Sequence, residues 1–398
     1  MTRDALLKTT TPFPCLDRVF SFLSKSNLLK VALVCRQWHT QASRKIWSSF
    51  KFVRERDFER IFSIIAKRTA IAQYGNFITS LELVHSDSDF SINANHIMLI
   101  TALCPNLLSI DITFDHTHRV APPVAPHLRR PSQQQQQQQQ QRPGLPPVPT
   151  TPRQPYTPSL PLAHFAYNCP HLKSIRLVSY LPKTDDSVYE MAKYMTSGSL
   201  ESITLSHCST IQSSTLCKLA ITNPQLKSIQ LNGTTPVSDA SLASLIDRCG
   251  PTLECLTIGN AHSLTDKSIG RIALKCKKIR DISIFNNTEH VSEDTLTAII
   301  THCPTLETIS LSDSRCLGSA FFHSVVQRVN IEMASIDSHQ ANTKFGLQRL
   351  CLGGVKRDMI HSQYMEELID KSTSKHDINQ PTVIRGNTVW WQRLISTT

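Results

Sequence analysis

No run of about 18 consecutive apolar residues occurs in this 398-residue chain, which excludes a transmembrane helix of ordinary length. The opening stretch, "MTRDALLKTTTPFPCL", lacks the continuous apolar segment of a secretory signal. Twelve cysteines are present, but no two stand as C-x-x-C, so neither a zinc ribbon nor a thioredoxin-like redox pair is expected. Those cysteines are read as free thiols in a reducing compartment, cytoplasmic or nuclear. Signatures of catalysis are missing too: there is no G-x-x-x-x-G-K-S/T, G-x-G-x-x-G, H-E-x-x-H or G-x-S-x-G. The sixteen histidines are scattered, and no metal or cofactor is expected.

Acidic residues are absent from one long segment after Asp115. It holds Arg119, Arg129, Arg130, Arg142 and Arg153, which supply five of the +11 formal net charge and leave +6 without them. The same segment, about 115–160, carries a glutamine tract and a dense set of prolines. Proline removes backbone donors and glutamine has nothing apolar to bury, so a disordered insertion with polyproline II character is expected. A basic balance attracts nucleic acid or acidic partners without selecting between them. The cluster "KCKKIR" (275–280) has no interleaved aromatics and reads as a solvated face, which does not favour nucleic acid.

What is present is a repeat. "ITSLELV" from 78, "LLSIDIT" from 107, "LKSIRLV" from 172 and "LESITLS" from 200 align with "LKSIQLN" from 226 and "LECLTIG" from 253. "IRDISIF" from 279, "LETISLS" from 306 and "LQRLCLG" from 347 continue the series. Each reads apolar-x-x-apolar-x-apolar, and a period near 27 residues with L-x-x-L-x-L is the leucine-rich-repeat signature. The strand piece points two alternate apolar residues inward, and an amphipathic helix comes after it over 237–249, 264–276 and 291–303. Ser238, Thr265 and Ser292 stand at the helix starts with acidic residues after them, as N-caps require. Leu242, Leu245 and Ile246 recur at helical spacing toward the strand layer. Cys104, Cys169, Cys249, Cys276 and Cys303 recur just before the repeat's first apolar residue, which resembles the cysteine-containing subclass of these repeats. A thiol recurring at one place in five of the nine units is read as packing, not as a nucleophile.

Residues 12–50 form two apolar helical patterns: Leu16, Val19, Phe20 and Leu23, then Leu28, Ala32, Cys35, Trp38 or His39, Ala42 and Ile46, with Ser26 as the expected N-cap between them. Some 40 residues cannot bury this much apolar surface alone, so a partner is expected to cover one side. The proline eleven residues before Leu23, then "NLLKVALVCRQW" and the later "IW", make this segment similar to the F-box. Thr11 and Pro14 depart from that family's usual leucine and acidic residue. F-box followed by cysteine-type repeats is itself a family arrangement, which the whole chain resembles. The resemblance implies an α/β protein: a small all-α F-box module, then a leucine-rich-repeat horseshoe with parallel strands inside and helices outside. It further implies a non-catalytic, substrate-recognition subunit of an SCF-type cullin–RING ubiquitin ligase. The F-box would dock on a Skp-type adaptor through Pro12, Leu16, Val19, Leu23, Leu28, Leu33, Val34, Cys35 and Trp38. Trp47 would be the peg joining that module to the rest of the chain. A repeat scaffold without a ubiquitin role is the alternative.

The expected boundaries are 9–53 for the F-box, 54–77 for a linking helix, 78–357 for the repeats with the insertion at 115–160, and 358–398 for a C-terminal cap or tail. The tail holds a hairpin signal at Gly386-Asn387, with Trp390 and Trp391 after it. Strand register puts Arg176, Thr204, Gln230, Thr257, Ser283, Phe285, Ser310 and Arg349 on the concave face as candidate protein-substrate contacts. That row is mostly small and uncharged, which disfavours phosphate recognition at its middle and favours neutral hydrogen bonding with Phe285 as apolar anchor.

Overall fold

A computed structural model describes residues 14–67, 73–115, 156–195, 198–233, 237–259, 264–285, 290–312, 316–337, 346–354, 363, 366–367, 382–385 and 388–392. Three short helices come first: α1 (Pro14–Ser21), α2 (Lys25–Val31) and α3 (Arg36–Ile46). The second apolar pattern is therefore broken into two helices at residues 32–35. The break leaves a carbonyl at Ala32, which the Nδ1 atom of His39 meets at 3.2 Å. The N-cap of α2 is Ser24, whose Oγ accepts the Asn27 N–H at 3.3 Å, and not Ser26. Phe20, Leu28 and Ala42 are the buried centre of this module, with Leu16, Leu23, Val31, Ala32, Trp38 and Ile46 packed around them.

Ten parallel strands then stack in chain order. They are β1 (Ser49–Phe52), β2 (Ser80–His85), β3 (Ser109–Phe114), β4 (Ser174–Val178) and β5 (Ser202–Ser206). β6 (Ser228–Asn232), β7 (Cys255–Ile258), β8 (Asp281–Ile284), β9 (Thr308–Leu311) and β10 (Arg349–Leu352) complete the parallel set. From β2 to β10 every second strand residue is buried, the period-2 pattern of a sheet with one packed face. The buried face joins the outer helices in one core that runs unbroken from Phe52 to Leu352, as a solenoid whose units cannot bury their faces alone must. The far edge is closed by β11 (Thr382–Arg385) and β12 (Thr388–Gln392): β12 pairs antiparallel with both β10 and β11. Trp390 thereby lies opposite Cys351 and Trp391 opposite Leu350 in the strand register.

The sheet begins earlier than the repeat pattern suggested. β1, "SFKF", pairs in parallel with β2, and Phe52 joins the main core. The segment expected to be a linking helix is α4 (Glu55–Ala66), whose Phe58 and Phe62 are buried in that core beside Phe52. It acts as the outer helix of a first repeat, with a short 3-10 turn after it at Tyr74–Phe77. The insertion expected at 115–160 falls outside the described residues over 116–155. Within residues 156–160, however, Thr157 and Leu160 are buried, and the Leu160 N–H donates to the Tyr180 hydroxyl at 3.0 Å.

Two devices tie repeat to repeat. Cys104, Cys169, Cys249, Cys276 and Cys303 are all buried at the expected position. Cys169 Sγ donates to the Cys104 carbonyl and Cys249 Sγ to the Asn223 carbonyl, each at 3.6 Å. Asn223, fully buried, takes the cysteine's place in its own repeat. Burial pushes the Cys104, Cys169 and Cys276 thiols up to about 12 and those of Cys249 and Cys303 up to about 11, which keeps them protonated and unreactive. The second device lies at the helix starts, where Ser238, Thr265 and Ser292 are the N-caps. The acidic residue after each cap reaches the next repeat: Asp239 accepts from the Thr265 N–H at 2.9 Å, and Asp266 from the Ser292 N–H at 2.8 Å.

Candidate functional site

Two surfaces stand apart from the packing just described. The first is the outside of the three-helix module. Leu28, Val31 and Ala32 turn one face of α2 into its core, and this leaves Leu29 and Leu33, four residues apart, on the other. Val19 and Phe22 are likewise exposed at the end of α1, and Val34 and Cys35 precede α3. Leu33 is 86% exposed and Phe22 81%.

The expected adaptor residues therefore fall into three sets. Val19, Leu33, Val34 and Cys35 are on the surface. Leu28 is not: it is 4% exposed in the module's own core, so its contribution is to fold and not to contact. Leu16, Leu23 and Trp38 lie between, half-buried against that core, and Trp38 packs edge-on to Phe20 at 5.6 Å. Pro12 lies outside the described residues. Phe22 and Leu29 were missed, although the i, i+3 step from Val19 and the i, i+4 step from Leu29 to Leu33 pair them with residues that were named.

The module is bonded to the solenoid. Trp47 stacks on Tyr74 at 4.5 Å with the rings 12° apart, and it meets Phe50 edge-on at 5.6 Å. Lys25 donates to the Ser49 carbonyl at 2.6 Å and lies 4.9 Å from the centre of the Phe50 ring; burial lowers its ammonium pKa. The Thr79 N–H donates to the Ser48 carbonyl at 2.9 Å.

The second surface is the concave face. Its middle column, in strand register, is Lys51, Glu82, Asp111, Arg176, Thr204, Gln230, Thr257, Ser283, Ser310 and Cys351. Arg349 belongs to the first column, beside Thr308, and is exposed, while Phe285 lies just past β8 and is half-buried. The column is divided by charge. Lys51 pairs with Glu82 at 2.5 Å and Arg176 with Asp111 at 3.5 Å, so the first four strands carry every charge in it. Burial lifts the Asp111 carboxyl above its ordinary value, and Arg176 and the Thr113 hydroxyl offset this only in part. From Thr204 to Ser310 the column offers hydroxyl and amide groups alone. Such a row can hydrogen-bond a polypeptide but contains no nucleophile–base pair. Among the described residues no group of three or more His, Cys, Asp or Glu side chains is placed to hold a metal ion. Glu82 and Asp111 were legible as the middle x of L-x-L in the first two aligned pieces, whereas Lys51 lies in a strand with no leucine pattern.

Residues 12–52 match the F-box-like family model. No curated protein matches the chain in sequence. Among solved structures it is similar to one described as the crystal structure of the Rad7 and Elc1 complex in yeast, at 15% identity and a TM-score of 0.46, over 79% of this chain and 70% of that one. Residues 12–52 are thus an F-box-like domain, set at the head of a repeat solenoid of parallel strands and outer helices.

Proposed function

We propose that this chain is a substrate-recognition subunit of an SCF-type cullin–RING ubiquitin ligase and makes or breaks no covalent bond itself. The F-box-like domain docks on a Skp-type adaptor, and the concave face holds a protein substrate. The observation that carries this reading is the exposed apolar set Val19, Phe22, Leu29, Leu33 and Val34, on a module whose core is already filled by other residues. Apolar side chains left in water on a domain of this family are best explained by the partner that covers them.

On the concave face the contacts assigned to substrate are Arg176, Thr204, Gln230, Thr257, Ser283, Phe285, Ser310 and Arg349, with Glu82 and Asp111 added at the head of the row. Its uncharged length suits a substrate segment that offers backbone and neutral polar groups, with a charged residue meeting the Asp111–Arg176 pair. The test is recovery of partners from cells on the full chain, beside a variant in which Thr257, Ser283, Phe285 and Ser310 are all made bulky and charged. Adaptor and cullin are expected on both, and a substrate on the first alone. Absence of adaptor and cullin from the intact, folded chain refutes the ligase reading.

A further inference from the structure

The residue just before each strand carries a pattern that neither surface uses. In six successive repeats it is Lys173, Glu201, Lys227, Glu254, Arg280 and Glu307, so the sign of charge alternates at every step. Leu108 stands at this place before the series and Gln348 after it, both uncharged. The backbone fixes these residues side by side. The Glu201 N–H donates to the Lys173 carbonyl at 2.8 Å, Lys227 to Glu201 at 2.8 Å, and Glu254 to Lys227 at 2.7 Å. Arg280 continues to Glu254 and Glu307 to Arg280, each at 2.7 Å. The side chains use that proximity. Glu201 receives Lys173 on one oxygen and Lys227 on the other, both at 2.8 Å, and these two ammonium groups draw its carboxyl down to about 2. Arg280 Nε reaches Glu307 at 2.8 Å. Glu254 stands between Lys227 and Arg280 in the same backbone ladder.

The core beneath draws no such distinction. Leu172, Ile175 and Leu177 of one repeat recur as Leu200, Ile203 and Leu205 of the next, all buried. Apolar packing alone therefore accepts a repeat stacked on the wrong neighbour, a hazard of chains built from near-identical units. Charge does not accept it. With one repeat looped out, Lys173 meets Lys227, Glu201 meets Glu254, and Lys227 meets Arg280. Like charges directly opposed across strands repel.

We propose that this alternating ladder is a stacking code, which attracts each repeat to its true neighbour and repels the repeat beyond. The inference is independent of any ligase role. It is tested on the full chain with two variants. Glu201→Lys with Arg280→Glu reorders the ladder into three cations and then three anions and leaves net charge unchanged. Reversal of all six charges keeps the alternation and changes every side chain.

The reading is the fraction of chains that refold from urea to native monomer, together with the urea midpoint, at low salt and at about 1 M salt, where the Debye length is about 3 Å. The reordered variant is expected to refold in several-fold lower yield at low salt and to recover at high salt. The fully reversed variant is expected to match the parent in both. Parental refolding yield from the reordered variant at low salt overturns the code, even if its midpoint falls. So does a fully reversed variant that fails alongside it, because individual side chains would then matter and not their alternation.

Discussion

Leu33→Ala separates docking from folding in the F-box-like domain. The side chain is 86% exposed and belongs to no core cluster, so truncating it should change the chain's own stability by about 0.5 kcal/mol or less. On docking to a Skp-type adaptor the same side chain leaves water. Burying a leucine is worth about 1.5–3 kcal/mol, and the methyl group of alanine recovers part of that. The expected loss is about 2 kcal/mol, roughly a 30-fold weaker Kd. Phe22→Ala, at 81% exposure, should behave alike. Leu28→Ala is the contrast: at 4% exposure beside Phe20 and Ala42 it opens a cavity costing about 2–5 kcal/mol, and the module should unfold. Calorimetric titration with purified adaptor, paired with urea melts of each variant, reads both quantities. Leu33→Ala and Phe22→Ala variants that stay folded and bind within about twofold of the parent would refute this use of the surface.

The packing dictates three further outcomes. Asp239→Asn should cost about 1–2 kcal/mol at neutral pH, because the carboxylate serves the Thr265 N–H and hydroxyl and the Ser268 hydroxyl across a repeat boundary. Burial alone would raise the Asp239 carboxyl, but these hydrogen bonds outweigh it and hold the folded value below the ordinary one. The stabilisation is therefore full above the ordinary carboxylate range and is lost as pH falls through the folded value, so urea midpoints of parent and variant should converge in acid. Thiol labelling of the native chain should mark Cys15 and Cys35 first and spare Cys104, Cys169, Cys249, Cys276 and Cys303 until unfolding, as mass spectrometry of the labelled peptides would show. Trp47→Ala removes a stacked and an edge-on ring contact and should cost about 1–3 kcal/mol, seen as faster limited proteolysis of residues 14–47 with the repeats still protected.

The solenoid was legible because its physics is periodic. Six of the eight steps between the nine aligned strand pieces fall between 26 and 29 residues, the caps Ser238, Thr265 and Ser292 and the cysteines from Cys249 to Cys303 step by 27, and the sheet places them as that period requires. Where the period fails, sequence reasoning failed too. β1 is four residues long, uses phenylalanine for leucine and abuts a helix, so the sheet's first strand stayed hidden and its helix α4 passed for a linker. Asn223 stands in for a cysteine and breaks that column while filling the same buried place. In the F-box-like domain, helical spacing sorted residues onto faces but gave no sign of which face is core. Leu28 and Leu29 are neighbours in sequence, yet one is buried and the other exposed. The charge division of the concave face and the alternating ladder stand at fixed places of the aligned pieces, and strand register adds that those places lie side by side.

The most direct measurement of the proposed role is assembly from purified parts. The chain is mixed with a Skp-type adaptor and then with a cullin–RING pair, and the products are weighed by native mass spectrometry. One copy of the chain should join one adaptor, and that pair should join the cullin in a single complex, whereas a Phe22→Ala, Leu33→Ala double variant should remain alone. A folded parent chain that stays monomeric with the adaptor, or an adaptor pair that never joins the cullin, would contradict it.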